Sequence, residues 1–308
     1  MEKNLLGRTG LEVTRLGFGA MEIRGPRVWN GRPLADSDAD RILNAVLDAG
    51  INFIDTSYDY GLSEEYIGRF ISHRRSEYIL GTKCGCTIVH AGDHDETPHV
   101  WTKENLLHNI DESLRRLKTD YVDLLQLHNP TVIQTEEGGL IEVLKEIQAT
   151  GKARYIGISS TMPHITSYIE SGAFDSFQIP YSALERNHED IITEAAKAGA
   201  GTIIRGGVGR GEPGVGLGEE NKWVHWENAE LDELLDEGES RTTFLLRFTL
   251  SHPHLNTTIV GTMKPEHLFD NVRIAQKGPL PADIYEEAKR RLLQSGQGPS
   301  STYYRKEG

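Results

Sequence analysis

An α/β fold, built as one closed barrel of eight parallel strands each followed by a helix, accounts for three features of this sequence. Short β-branched or apolar runs alternate with longer amphipathic segments about eight times along the chain. The chain has 308 residues, and a (β/α)8 barrel of about 250 residues fills most of that length with a surplus of roughly 58. No internal repeat, low-complexity tract or Pro/Ser-rich linker divides the chain. The expectation is a single TIM-type barrel domain over residues 1–308, with its core at about 5–277, extended loops at the carboxyl face and a C-terminal extension at 278–308.

In chain order, Arg15–Gly19 reads as the first strand and Asp38–Ala49 as an amphipathic helix. Asn52–Asp55, Tyr78–Lys83 and Val122–His128 supply the next three strands, with helix Lys103–Leu117 before the fourth. Helix Leu140–Ala149 leads to strand Arg154–Ile158, and Phe174–Gln178 is the sixth strand. Helix His188–Ala198, strand Gly201–Ile204, helix Thr242–Leu250, strand Thr257–Val260 and helix Pro265–Gln276 complete the pattern, several helices opening on Ser, Thr or Asp caps. Three segments exceed what barrel loops need: Cys84–Trp101, Arg205–Glu239 and Gly278–Gly308. The first two follow strand ends, so they rise from the face where barrel active sites are built. The third either folds over that face or trails into solvent, and its end, Ser300-Ser301-Thr302-Tyr303-Tyr304-Arg305-Lys306, is polar enough to fray.

The balance of 33 Lys+Arg against 46 Asp+Glu, a net charge of −13, argues against a nucleic-acid partner. No run of about 18 apolar residues is available to span a membrane. The first residues, Met1 to Gly7, lack the apolar stretch of a secretory signal, so a cytoplasmic location is expected, where thiols stay reduced. Two cysteines, Cys84 and Cys86, support no disulfide framework.

Four ionisable residues fall at or just beyond the ends of three successive strands: Asp55, Tyr60, Lys83 and His128. Neighbouring strands lie about 4.8 Å apart, so these side chains can converge on one spot. Such a group suits carbonyl reduction, in which an acid protonates the oxygen while hydride reaches the carbon. Tyrosine, with a pKa of about 10, is a weak acid, and an ammonium beside it is expected to lower that value. Lys83 is placed to do this, held by Asp55, and His128 to orient the carbonyl oxygen.

The run Gly50-Ile51-Asn52-Phe53-Ile54-Asp55-Thr56-Ser57-Tyr58-Asp59-Tyr60-Gly61-Leu62-Ser63-Glu64 closely resembles the aldo-keto reductase signature around its catalytic Asp and Tyr. The resemblance continues through Gly81-Thr82-Lys83, through Tyr121 to His128 and through Gly151 to Ser159, and extends from about Leu5 to Asn271. It implies that Tyr60 is the general acid, that Lys83 and Asp55 tune it, and that His128 orients substrate. Tyr60 is preferred to Tyr58 because it precedes Gly61 and lies five residues after Asp55. Any one of the four could be ordinary: a surface tyrosine, a solvated lysine, a turn-capping Asp, a strand-end His bonded to backbone. All four in the family's spacing make a shared accident improbable.

The resemblance further implies a nicotinamide cofactor, NADPH with NADH as the alternative, extended across the barrel mouth without a Rossmann fold; no Gly-x-Gly-x-x-Gly fingerprint sits between a strand and a helix. The matching positions are Gly19, Ala20, Met21, Asp55, Ser159, Ser160 and Gln178, with Ser159 and Gln178 bonding the carboxamide. Many relatives carry Asn where this chain has Ser160. After the seventh strand, Arg205 stands where relatives often carry an aromatic residue that stacks on the nicotinamide. A guanidinium can also lie flat on a ring, and its charge would disfavour NADP⁺ relative to NADPH. Gly206, Gly207, Val208, Gly209 and Gly211 follow, freeing amides for the pyrophosphate or merely permitting turns. Gly261, Thr262, Lys264, His267 and Asn271 match the adenosine end. Lys and Arg often clamp the 2′-phosphate where this chain has Gly261 and His267, so Lys264 and the N-terminus of the last barrel helix are the remaining anion donors.

All four tryptophans, Trp29, Trp101, Trp223 and Trp226, fall in segments assigned to the carboxyl face. With Tyr60 and His128 they form the expected substrate pocket, although each could instead pin its own loop to the barrel. Cys84, Cys86, His90, His94 and His99 crowd one loop, but Cys-x-Cys is unusual for structural zinc and no metal is expected. The partner is a small carbonyl substrate, and the assembly a monomer or weak homo-oligomer. Two rival functions remain: a cofactor-binding regulatory barrel with slow turnover, and a lyase using Lys83 as a Schiff-base amine.

Overall fold

Eight short apolar runs lie side by side in the computed structural model, which describes residues 1–300. Leu16–Gly19, Phe53–Asp55, Ile79–Cys84, Val122–His128, Ala153–Ser159, Ser176–Pro180, Gly201–Arg205 and Thr257–Val260 form a closed parallel barrel in this order. The eighth strand closes on the first, with Thr258 opposite Leu16. Helices cover the outside and side chains fill the inside, so most strand residues are buried on both faces and the runs read as continuous rather than alternating.

The expected (β/α)8 barrel is therefore present, with strand limits moved by no more than two residues and two strands, Val122–His128 and Thr257–Val260, unmoved. The largest shift is in the sixth strand, expected at Phe174–Gln178 and found at Ser176–Pro180. Phe174 packs edge-on against Phe177 at 6.1 Å, and Asp175 turns its carboxylate to accept the amide of Ile156 at 3.0 Å. Pro180, the last residue, has no N–H to offer, and the next amide, that of Tyr181, donates to the Arg205 carbonyl at 3.1 Å instead. Among the expected helices, Lys103–Leu117 is capped by Thr102, whose hydroxyl accepts from the amide of Asn105, and Arg241–Leu250 by Ser240.

The amino end of the barrel carries an element that the periodicity did not reveal. Lys3–Leu5 pairs antiparallel with Glu12–Thr14, and Leu6, Leu11 and Val13 meet Phe53, Leu124 and Ile203 across the barrel floor. The carboxyl end takes up two of the three surplus segments. Val89–Ala91 and His94–Glu96 form a hairpin, tied down by an ion pair from Arg27 to Asp95 at 2.7 Å. Glu220–Asn228 is a helix, followed by a 3-10 turn at Leu231–Leu234. The third segment forms helix Ala282–Gln294, whose Tyr285 packs on Phe248 at 4.9 Å and meets the hydroxyl of Tyr181 at 2.9 Å. No residue of this helix lines the cleft described below. The expected frayed end, 301–308, lies outside the described residues. Among the described residues no helix is long and apolar enough to cross a membrane.

Candidate active site

The second, third and fourth strands are neighbours, with Asp55 opposite Gly81 and Lys83 opposite Gln126. Their carboxyl ends therefore share one rim. Lys83 Nζ donates to Asp55 Oδ2 at 2.6 Å and to the Thr56 carbonyl at 2.9 Å, and both ionic side chains are 1% exposed. The other oxygen of Asp55 accepts from the amides of Gln126 and Gln178, each at 2.9 Å. A tight turn after the second strand, closed by the Tyr60 amide donating to the Ser57 carbonyl at 3.0 Å, brings Tyr60 over this buried pair. Lys83 Nζ sits 4.9 Å from the Tyr60 ring centre. Trp29 and His128 meet the same ring edge-on at 5.6 and 5.9 Å.

His128 is held from behind. Its Nδ1 lies 3.3 Å from Asp59 Oδ1, 3.5 Å from Ser57 Oγ and 3.5 Å from Cys86 Sγ, while Ser57 donates its hydroxyl to Asp59. Burial opposes the charge on Asp59, yet the His128 ring and the hydrogen bonds from Ser57 and Cys86 hold its carboxyl well below the usual range. Burial, with the same carboxylate adding to it, pushes the Cys86 thiol far up.

These groups form one end of a cleft of about 1200 Å³ across the barrel mouth. That is larger than the roughly 300–1,000 Å³ of most single-ligand pockets. Gly19, Met21, Ser159, Gln178, Arg205, Gly206, Gly207, Val208, Gly209 and Gly211 line it, as do Gly261, Thr262, Lys264, His267 and Asn271. At Gly261 a Cβ would lie 2.5 Å from the Gly19 carbonyl oxygen, so glycine is what allows the last strand's end to approach the first. Arg205, Arg210 and Lys264 line the cleft without an ion pair among the described residues, whereas Arg32 and Arg273 are paired with Glu22 and Asp270.

The profile of the aldo/keto reductase family matches residues 15–290. The chain belongs to the aldo/keto reductase family. Relatives of this reductase include the Bacillus subtilis oxidoreductase YqkF, 29% identical, with 89% of this chain and 91% of the relative covered. The NADH-specific methylglyoxal reductase of Escherichia coli is 27% identical over 88% of this chain and 93% of its own. Among solved structures, the holo form of the aldo-keto reductase AKR11C1 from Bacillus halodurans superposes with a TM-score of 0.82 at 29% identity, covering 94% of this chain and 96% of that one.

Within this aldo/keto reductase several expectations need correction. Lys83 was expected to pull the Tyr60 pKa below its ordinary value, but the Tyr60 pKa is raised. Burial of the phenol outweighs the attraction of Lys83, and the carboxylates of Asp55 and Asp59 add to the rise. Lys83 itself stays charged, because Asp55 and Tyr60 more than offset the burial that would discharge it. Ala20 and Ser160 are buried beneath the cleft rather than on its wall, and the Ser160 hydroxyl has no partner among the described residues.

Of the tryptophans, Trp29, 44% exposed, lines the cleft; the other three do not. Trp101 stacks on His99 at 5.2 Å and covers Gly85, where a Cβ would fall 1.9 Å from its ring. Trp223 and Trp226 are buried on helix Glu220–Asn228; Trp223 donates its indole N–H to the Gly211 carbonyl at 3.1 Å and Trp226 donates to Asp232 at 3.0 Å. Their apolar area anchors the loop instead of facing a ligand. Gln126, Asp59 and the Glu22–Arg32 pair escaped the sequence reading. Asp59 is adjacent to Tyr60, but nothing in the spacing signals that it faces His128.

Proposed function

We propose that this protein reduces an aldehyde or ketone to the alcohol with a nicotinamide cofactor, NADPH in the first place and NADH as the alternative. The observation that carries this reading is the buried Lys83–Asp55 pair directly under the ring of Tyr60. It presents one neutral phenol, electrostatically supported from below, at the mouth of a long cleft. The cleft also fits the cofactor: its glycine-lined wall lets a backbone come close, and three cations without carboxylate partners among the described residues suit an anionic ligand. Ser159 and Gln178 would hold the carboxamide; since Gln178 Nε2 is given to Asp55, its carbonyl oxygen is the group left to accept. Arg205 would lie on the nicotinamide, and Lys264, His267 and Asn271 would meet the adenosine end. The bound cofactor supplies the hydride that the carbonyl carbon receives.

The remaining work falls to this chain's own side chains. The raised pKa keeps Tyr60 protonated at neutral pH, so its hydroxyl can donate to the carbonyl oxygen as negative charge builds there. Lys83 stabilises the phenolate left behind, and Asp55 keeps Lys83 charged and aimed. His128 faces the same oxygen, its ring braced by Asp59. Trp29 forms an aromatic wall for the substrate.

The lyase alternative loses support here, because Lys83 is buried, charged and committed to two acceptors rather than free to attack a carbonyl. The regulatory alternative is separated by turnover. A panel of aldehydes, ketones, sugars and steroids, assayed with NADPH and in parallel with NADH, is expected to show steady cofactor oxidation with at least one class. Tight cofactor binding with negligible oxidation throughout the panel would favour the regulatory reading.

A further inference from the structure

The cysteines and histidines crowded between Cys84 and His99 do not stay together in the fold. Cys84 turns inward, its Sγ 3.5 Å from the Gln126 carbonyl. His90 pairs with Asp95 at 2.8 Å and His94 with Asp93 at 3.1 Å, and neither lines the cleft. Cys86 and His99 are partners in an isolated antiparallel bridge, which sends their side chains to the same side. There they meet His128 at the end of the fourth strand. Cys86 Sγ and one nitrogen from each ring lie within 4.8 Å of one another. The 3.5 Å from Cys86 Sγ to His128 Nδ1 is close to the separation of about 3.6 Å that a tetrahedral ion imposes, given bonds of about 2.3 Å to sulfur and 2.0–2.1 Å to nitrogen. Asp59 Oδ1, 3.3 Å from the same nitrogen and on a side chain only 2% exposed, adds a buried negative charge. A thiolate and this carboxylate together balance a divalent cation.

We propose that Cys86, His99 and His128 form a binding site for a divalent cation of the zinc type, and that its occupation stops carbonyl reduction. One sulfur and two imidazole nitrogens select a borderline-soft ion over magnesium or calcium, which take oxygen ligands. On binding, a metal–sulfur bond replaces the Cys86 S–H bond and the proton leaves to solvent; no electron is transferred. His128 gives a ring lone pair to the ion and loses its brace on Asp59. Three protein ligands leave a position for water, so a hydrated cation then stands beside the ring that must meet the carbonyl oxygen. The inhibitory half rests on the reductase reading; the ligation does not.

The test uses the whole chain without a polyhistidine tag, stripped by chelator, and titrates it with Zn²⁺ by calorimetry and with Co²⁺ by absorption. One ion per chain, micromolar or tighter, with a sulfur-to-cobalt charge-transfer band, is expected. Cys86→Ser and His99→Ala, each checked for an unchanged thermal midpoint, should weaken binding by about tenfold or more, and Cys86→Ser should abolish the band. Zn²⁺ should inhibit carbonyl reduction with a midpoint matching the calorimetric Kd. No saturable uptake, uptake indifferent to both substitutions, or full activity at saturating Zn²⁺ would overturn the proposal. If the metal-free protein oxidises neither cofactor with any carbonyl, it is the reductase reading that fails, and the ligation is then decided by calorimetry and the cobalt band alone.

Discussion

In the proposed reduction Tyr60 is the acid, and two opposed effects act on its phenol. Burial keeps the proton on, while Lys83 makes the phenolate tolerable once the proton has gone. The pH dependence follows in sign. Reduction needs the protonated form, so kcat/KM for a carbonyl should hold level through neutral pH and past the ordinary tyrosine value of about 10 before it falls. Alcohol oxidation, which needs the deprotonated form, should rise over the same range. A reductive profile that falls with a midpoint well below 10 would mean that Lys83 dominates after all. Arg205 allows a second test of local charge. Replacing it in R205Y removes a cation from the end of the cleft proposed for the nicotinamide, so NADP⁺ affinity should improve relative to NADPH, read by fluorescence titration with each form. An unchanged ratio would contradict stacking by a charged Arg205.

The secondary-structure elements were legible in proportion to their length and regularity. Lys103–Leu117 and Val122–His128 were placed to the residue, since a long amphipathic period and a seven-residue apolar run are hard to misread. The pairs Lys3–Leu5 with Glu12–Thr14 and Val89–Ala91 with His94–Glu96 have three residues per strand, too few to show an alternation. In Glu220–Asn228, Trp223 and Trp226 lie three apart on one face, but glycines and charges surround the segment and hide its helical period. Of the four positions proposed for catalysis, Asp55, Lys83 and His128 were readable because they stand at strand ends, and Tyr60 because of its spacing from Asp55; the contact of Asp59 and Cys86 with His128 was not, because it is made by a turn and a loop. Trp223 shows what the buried tryptophans do. Its indole N–H fastens the Gly211 carbonyl and thereby the glycine-rich wall of the cleft. W223F keeps an aromatic ring but loses the bond, about 1 kcal/mol, and leaves a void where the indole was larger. Cofactor affinity should fall several-fold while the rate at saturating cofactor stays near that of the parent, as equilibrium binding and steady-state kinetics would show.

Across the molecule a net charge of −13 surrounds a cleft that offers Arg205, Arg210 and Lys264 without carboxylate partners among the described residues. Buried His252 contributes to the dependence of stability on pH. Its Nδ1 accepts the His254 amide at 3.2 Å, so the proton sits on Nε2, 3.2 Å from the Glu189 carbonyl. Burial lowers its pKa from 6.5 to about 4. The folded value is the lower one, so this contribution is complete above pH 6.5 and is lost as pH falls towards 4, when the unfolded chain takes a proton that the folded chain refuses. The full depression is worth roughly 3 kcal/mol, and urea unfolding at a series of pH values should show H252Q losing less stability than the parent across that window. Fold, cleft and charge together converge on one phenol. Single-turnover reduction by Y60F, with cofactor binding measured alongside, tests that convergence most directly. Unchanged cofactor affinity with a rate lower by about 10²–10⁴ is expected for loss of the proton donor; a rate within a few-fold of the parent would contradict the assignment of Tyr60 as the acid.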